Sequence, residues 1–322
     1  MSKSSKEVRS KSVLSPWFDK HITNSIDAII PKKWAATTLL TIASMALYIA
    51  LLIALIQPNF SQKAVAATVI LLLVAYTCFD RLYCKRKSNK ALSVDARFKA
   101  LLIITLNYLV LLVIALVSLN VLNVWVTITI SLIASLLLTV RFYELFKTGE
   151  VSNGVLDRLE IAILVIVFLT NYAIDPIRDF YELTPLSGAR VVDIILLVVS
   201  FVMLLTFIKL IGKIKHVTYG IWLYTVALII IGAFSGLMFE PIATLSIILL
   251  YAFWYNIKLL QAHLIDGVER STGLFTPLIM IVGFFMESFS GRNVLIVVVA
   301  YLVLNIVLNI LKSFKLLKSQ QA

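Results

Sequence analysis

Apolar stretches separated by short charged or polar segments recur along almost the whole chain. Most approach about 20 residues, the length that an α-helix needs to cross about 30 Å of hydrocarbon. The pattern predicts ten membrane spans, at residues 34–56, 64–79, 100–119, 124–140, 156–174, 191–211, 220–238, 241–260, 273–289 and 294–314.

Helices are favoured over a membrane β-barrel, because a spanning backbone must satisfy its own polar groups. A barrel would instead show short segments of alternating apolar and polar residues, and none is visible in the sequence. We therefore expect an all-α, polytopic helical membrane protein with about ten transmembrane helices.

Residues 1–33 are predicted to form a cytoplasmic N-terminal segment that contains an amphipathic helix at 16–30. Pro16 suits a first helical turn, and Pro31 ends the pattern. The apolar residues of this helix share one face: Phe18, Ile22, Ile26, Ile29 and Ile30. Two arrangements stay open, an interfacial helix lying on the membrane and a short helix packed on the bundle.

Composition and charge placement fit this topology. The 322 residues are 61% hydrophobic and only 14% charged, too few charges to cover a soluble domain. The net charge of +12 comes from residues that flank apolar runs. We therefore interpret these charges as flanking the membrane spans and not as binding nucleic acid. Of the 29 Lys and Arg residues, 25 fall on one side of the predicted membrane, which predicts that this side is cytoplasmic and holds both termini. The predicted transmembrane domain is 34–314, and a cytoplasmic tail follows at 315–322.

The segment 80–99 carries the densest basic charge, beginning at the cytoplasmic end of the second span. Its basic residues are Arg81, Lys85, Arg86, Lys87, Lys90, Arg97 and Lys99. One interpretation is a positive-inside loop that touches anionic lipid headgroups; the other is a phosphate-binding loop for a lipid precursor or a nucleotide. The two cysteines, Cys78 and Cys84, are expected to be free thiols.

Polar residues within spans suggest contacts between helices. Asn107, Asn256, Asn305 and Asn309 are expected to form helix–helix hydrogen bonds. Glu160, early in the fifth span, is interpreted either as a lipid or nucleotide contact or as a glutamate at the interface paired with Arg158 or Arg141.

Several short motifs occur in an order found in one enzyme family. They are SVLSPWF at 12–18, IPKKW at 30–34, AYTCFD at 75–80, FKTG at 146–149 followed by GVLD at 154–157 and Glu160, and KLLQAH at 258–263. In this order the chain resembles the CDP-alcohol phosphotransferases, in particular the choline/ethanolaminephosphotransferase branch. The resemblance covers most of the chain and implies ten spans.

The family signature is D-x-x-D-G-x-x-A-R, eight residues, then G-x-x-x-D-x-x-x-D, and its aspartates hold two divalent metals that bridge the CDP pyrophosphate. Asp80 fits the first aspartate. The other three aspartates of the signature fall on Tyr83, Leu101 and Thr105, and leucine cannot ligate a hard cation. One carboxylate of four is therefore present, and no metal cofactor is expected.

The resemblance with this degenerate signature implies a pseudoenzyme that acts as a structural, regulatory or lipid-binding subunit of a membrane complex. Its lipid or phosphate contacts would be Lys85, Arg86, Lys87, Lys90 and Glu160.

The alternative is an active CDP-choline or CDP-ethanolamine:diacylglycerol phosphotransferase with Mg²⁺ or Mn²⁺. Its site would be rebuilt from Asp80, Asp95, Glu150, Asp157 and Glu160. A transporter or lipid scramblase is a third hypothesis. The expected partners are membrane lipids and either other membrane subunits or a second copy of the chain. The family's usual home implies the endoplasmic reticulum or Golgi, with a mitochondrial membrane as the alternative.

Overall fold

The structure is a computed structural model that describes residues 14–57, 60, 62–87, 93–121, 123–149, 158–186, 188–214, 216–286 and 291–319. Within these ranges the protein is helical and contains no strand longer than an isolated bridge between Leu186 and Ala189. The α-helices are α1 (Ser15–Phe18), α2 (Asn24–Ile29), α3 (Ala36–Ile56), α4 (Lys63–Lys87), α5 (Val94–Ser118), α6 (Val124–Thr148), α7 (Arg158–Tyr172), α8 (Asp175–Glu182), α9 (Val191–Ile211), α10 (Tyr219–Met238), α11 (Pro241–Gln261), α12 (Phe275–Phe285) and α13 (Gly291–Ser319). Two π-helical turns follow α1 and α11, at Asp19–Thr23 and Ala262–Asp266.

An all-α polytopic membrane fold is confirmed. Every predicted span contains a described helix, and eight of these helices are long and apolar enough to cross a bilayer: α3, α4, α5, α6, α9, α10, α11 and α13. The fifth and ninth predicted spans differ. In the fifth, α7 has 15 residues and the chain then bends by 98° into α8, and in the ninth, α12 has 11 residues. At 1.5 Å per residue these helices are about 22 and 16 Å long, shorter than the hydrocarbon layer.

Local sequence explains several helix ends. Ser93 begins α5 by accepting a hydrogen bond from the backbone N–H of Ala96, and Asn123 caps α6 in the same way. Gly149 ends α6 in the left-handed conformation, with φ of 74°, which glycine adopts without a steric penalty.

One compact unit comprises α1 to α5, α7 and α8. In it α3 packs on α4 and α5, and α7 packs on the same two helices. Apolar residues of α3, α4 and α5 form a buried cluster: Leu39, Leu40, Leu82, Tyr83 and Ala100. The Asn107 amide of α5 donates to the Ser44 hydroxyl of α3 at 3.1 Å, which confirms a predicted helix–helix hydrogen bond.

The predicted N-terminal helix 16–30 is observed as α1, a π-helical turn and α2. Ile26 and Ile30 pack against the buried cluster of α3, α4 and α5, whereas Ile29 is 81% exposed. The structure therefore shows the second arrangement, a short helix packed on the bundle. Its position relative to a membrane surface stays a prediction.

The other compact unit comprises α6, α9 from Asp193, and α10 to α13. Its centre is α11, which packs on α6, α10 and α13. Tyr224 of α10 stacks between Tyr251 and Tyr255 of α11, with ring centroids 5.9 and 4.4 Å apart. Gly236 lets α10 approach α6, since a Cβ there would lie 2.1 Å from the Cδ1 of Ile128.

Candidate functional site

Ion pairs fasten the N-terminal helices to the C-terminal end of α4. Asp19 accepts hydrogen bonds from Arg81, with 3.0 Å between the arginine Nε and the carboxylate. Asp27 pairs with both Lys85 and Arg86, at 2.6 and 2.7 Å. Asp19 and Asp27 are eight residues apart, about two helical turns, and therefore point to the same neighbour. We refer to these five residues as the N-terminal clamp.

Arg86 also completes the backbone hydrogen bonding where α2 ends. Its guanidinium donates to the carbonyl oxygens of Ile30, Pro31 and Trp34, at 3.0 to 3.3 Å. The last carbonyls of a helix have no partner within the helix, so an arginine at this position satisfies groups that would otherwise need water.

The clamp perturbs the acidity of Asp27. The hydrogen bond from Lys85 lowers the pKa of this carboxyl below its ordinary value, and partial burial opposes that effect. The hydrogen bond and charge of Arg86 lower it further. Asp27 is therefore held in the charged form that the two cations require.

Asp80, the single aspartate that fits the signature, is buried and paired with an arginine. Arg158, the first residue of α7, donates to the Asp80 carboxylate at 3.0 Å and to the Cys84 sulfur at 2.9 Å. Tyr76, Asp80 and Cys84 recur every four residues, so one face of α4 presents all three. The structure thus pairs Arg158 with Asp80, and the predicted pairing of Glu160 with Arg158 or Arg141 stays a prediction.

A small cavity of about 10 Å³, the space of a single water molecule, lies beside this pair. It is lined by Tyr76 of α4, Tyr108 and Leu111 of α5, and Arg158 and Ile161 of α7. Apart from the guanidinium and two phenol groups, its walls are apolar. The cavity is far smaller than a ligand pocket of about 300 Å³ or more, so neither a lipid chain nor a pyrophosphate fits in it.

In the described part of the chain, the oxygen donors beside Asp80 do not fit a pair of divalent cations. The signature positions after Asp80 hold Tyr83, Leu101 and Thr105, and the Asp80 carboxylate already binds a cation, Arg158. Among the described residues there is no group of three or more His, Cys, Asp or Glu side chains that could hold a metal.

The remaining carboxylates of the alternative, rebuilt site are dispersed or outside the described residues. Asp95 pairs with Lys99 on its own helix, at 2.7 Å. Glu160 is buried and accepts a hydrogen bond from the backbone N–H of Leu14 at 3.4 Å. Glu150 and Asp157 lie outside the described residues.

The predicted phosphate contacts are only partly brought together. Lys85, Arg86 and Lys87 form the last residues of α4, so they extend a helix and do not form a loop. Two of them already contact Asp27. Glu160 faces the N-terminal segment, and Lys90 lies outside the described residues. Lipid or phosphate binding by these residues stays a prediction.

A second polar cluster, in the other compact unit, was not predicted from the sequence. Lys147 of α6 pairs with Glu269 at 2.8 Å. Thr218 donates to the same carboxylate, and the Tyr143 hydroxyl lies 2.7 Å from the Thr218 hydroxyl. The spacing of Tyr143 and Lys147, one helical turn apart, is the only sequence signal for it. The cluster joins the end of α6 to the loop after α11, which is a structural role.

Comparison with known proteins yields no relative: the chain matches no known family model and no curated protein sequence.

Proposed function

We propose that this protein is a non-catalytic membrane protein similar to the CDP-alcohol phosphotransferases, serving as a structural, regulatory or lipid-binding subunit of a membrane complex. The observation that carries the proposal is the ion pair between Asp80 and Arg158. In the enzymes that the chain resembles, the first signature aspartate holds a metal; here an arginine occupies the space beside it.

The energetics of this pair support the proposal. A divalent cation at Asp80 would have to displace the Arg158 guanidinium or lie beside it, and like charges repel strongly where water is scarce. The pair is partly buried, with the Arg158 side chain 26% exposed. Separating it therefore costs more than separating an exposed pair, about 0–1 kcal/mol, and less than separating a buried one, about 3–5 kcal/mol. A lone carboxylate cannot compensate for that cost.

Basic charge at the end of α4 supports the lipid-binding role, because Lys85, Arg86 and Lys87 are the last residues of that helix. We propose that an anionic lipid headgroup contacts the basic residues that follow Asp80. For the membrane, we propose the endoplasmic reticulum or Golgi, with mitochondria as the alternative, to be decided by cell fractionation.

A transfer assay separates the proposal from an active enzyme. The purified chain in lipid nanodiscs is given radiolabelled CDP-choline or CDP-ethanolamine, diacylglycerol and Mg²⁺ or Mn²⁺. We expect no lipid product above that of the Asp80→Asn variant, which preserves the shape of the side chain. Metal-dependent product that Asp80→Asn abolishes would refute the proposal and establish the phosphotransferase alternative.

A second experiment addresses the role as a subunit. The tagged chain is purified from its native membrane in mild detergent, and proteins retained at constant stoichiometry are identified by mass spectrometry. We expect at least one stoichiometric membrane-protein partner or a bound phospholipid. Recovery of a bare monomer without lipid would contradict both roles.

A further inference from the structure

A short amphipathic helix closes one end of the unit that contains α1 to α5. After α7 the chain bends by 98° into α8, so α8 runs across the direction of the helix before it. Its polar side chains, Asp175, Arg178, Asp179 and Glu182, recur at three- and four-residue intervals and share one face. A second face bears exposed apolar residues, Pro176, Phe180 and Leu183.

The third face fixes α8 to α7. The Tyr181 ring lies 5.3 Å from the Phe168 ring and stacks at 6.2 Å on the Tyr172 ring, both of α7. The Tyr172 hydroxyl donates to Glu182 at 2.7 Å. Because this face is occupied, the apolar stripe of α8 is held outward.

Two contacts place this segment beside the ends of the neighbouring helices. Asp175 pairs with Lys63, the first residue of α4, at 3.3 Å. Arg190 donates to the carbonyl of Asn120, two residues after α5 ends, at 2.9 Å. Asp175 therefore lies beside the start of α4, and Arg190 lies beside the end of α5.

The exposed side chains of this segment are large and apolar. Phe180 is 54% exposed, and Leu183 and Leu186 are 57% and 62% exposed. A soluble surface would leave this stripe in water, whereas an interfacial helix buries such a face about 5–10 Å into the boundary of headgroups and acyl chains. The length of α7, about 22 Å against about 30 Å of hydrocarbon, brings α8 to that depth.

We propose that α8 and the turn after it form an interfacial anchor that inserts Phe180, Leu183 and Leu186 into the leaflet opposite the basic helix ends. The occupant of the apolar stripe is lipid. A protein partner would need an interface of about 1,200 Å² or more, and a stripe of eight helical residues is about 12 Å long, too short to supply it. The anchor would fix the depth of the short helix α7 and hence of Arg158.

Tryptophan substitution tests the anchor on the full chain in liposomes. Phe180→Trp places the fluorophore on the apolar stripe, and Asp179→Trp, at the adjacent position, places it on the polar face as the matched control. Phosphatidylcholine brominated near the headgroup end of its acyl chains is the quencher, and the wild-type spectrum is subtracted to remove the five native tryptophans.

We expect the emission added by Phe180→Trp to be shifted to the blue and quenched by the brominated lipid, and that of Asp179→Trp to stay red and unquenched. If Phe180→Trp does not yield folded protein, Leu183→Trp tests the same stripe. Red emission from the stripe would show a surface in water, and blue emission without quenching would show a protein partner; either result overturns the proposal.

Discussion

Replacing Asp27 with asparagine is expected to release α1 and α2 from the end of α4. The substitution preserves the size of the side chain but removes the negative charge that both Lys85 and Arg86 contact. The Asp19–Arg81 pair and the apolar contacts of Ile26 and Ile30 remain. The two N-terminal helices should therefore open more often while the rest of the bundle stays folded.

The magnitude follows from two partly exposed ion pairs. Side chains of Asp27 and Lys85 are 24% and 35% exposed, so solvent screens the pairs and each contributes at most about 1 kcal/mol. Their loss weakens the local structure by about 1–2 kcal/mol, which is a factor of about 5–30 in the equilibrium between closed and open forms. Amide hydrogen exchange measured by mass spectrometry reports this equilibrium directly.

We expect peptides covering 15–30 to exchange faster in Asp27→Asn by that factor, with unchanged exchange in α10 and α11. The matched control is Asp179→Asn, which removes an acidic side chain that is 73% exposed and lies on another helix. Equal protection of 15–30 in the wild type and Asp27→Asn would refute the clamp.

The clamp also predicts a dependence on pH with a definite sign. Because Lys85 and Arg86 lower the pKa of Asp27 in the folded protein, the stabilisation is complete above the unfolded pKa of about 3.9. It is lost as the pH falls through the lower folded pKa. The difference in exchange between the wild type and Asp27→Asn should therefore persist at neutral pH, begin to shrink below about pH 4, and vanish only below the lower folded pKa.

Three further substitutions test other contacts. Arg158→Gln removes a cation that contacts Asp80 and should lower the free energy of unfolding by about 1–3 kcal/mol, between the values for exposed and buried ion pairs. Adding Asp80→Asn should restore much of the loss, and additive effects in thermal denaturation would argue against the pair. Asn256→Leu should raise the free energy of unfolding by about 1–3 kcal/mol, because the amide nitrogen and oxygen of this fully buried side chain have no hydrogen-bond partner among the described residues. A lowered melting temperature would disprove this account. Gly273→Ala should lower the free energy of unfolding by about 1–3 kcal/mol through overpacking, since the added Cβ would lie 2.3 Å from the Trp254 ring. An unchanged melting temperature would show that the ring moves aside freely.

Apolar patterning was sufficient for the fold class because the bilayer imposes one solution, a helix, on each long apolar stretch. It could not predict helix length. The second predicted span ends at residue 79, yet α4 continues for two more turns to Lys87. These turns are polar in the sequence, and they persist because Asp19 and Asp27, more than 50 residues earlier, neutralise their charge.

The asparagines show the limit of reasoning from residue type. All four were expected to bridge helices, and Asn107 does so. Asn305 and Asn309 instead donate to carbonyls four residues earlier in their own helix, and Asn256 has no hydrogen-bond partner among the residues that the structure describes. The sequence identifies a polar residue in a span, but its partner depends on which helix face meets which neighbour.

Sequence reasoning about the candidate site rests on the resemblance, under which three of the four signature positions lack an aspartate. The sequence could not predict which residue contacts Asp80. It gave no sign that Arg158, 78 residues later, would bind Asp80, because long-range pairing depends on how α7 docks against α4.

Manganese binding tests the state of Asp80 most directly. The full chain in nanodiscs is titrated with Mn²⁺ in the presence of CDP-choline, and free Mn²⁺ is followed by electron paramagnetic resonance. With Asp80 bound to Arg158, we expect the wild type and Asp80→Asn to bind the same small amount of Mn²⁺. Two Mn²⁺ ions per wild-type chain, both lost in Asp80→Asn, would contradict the account.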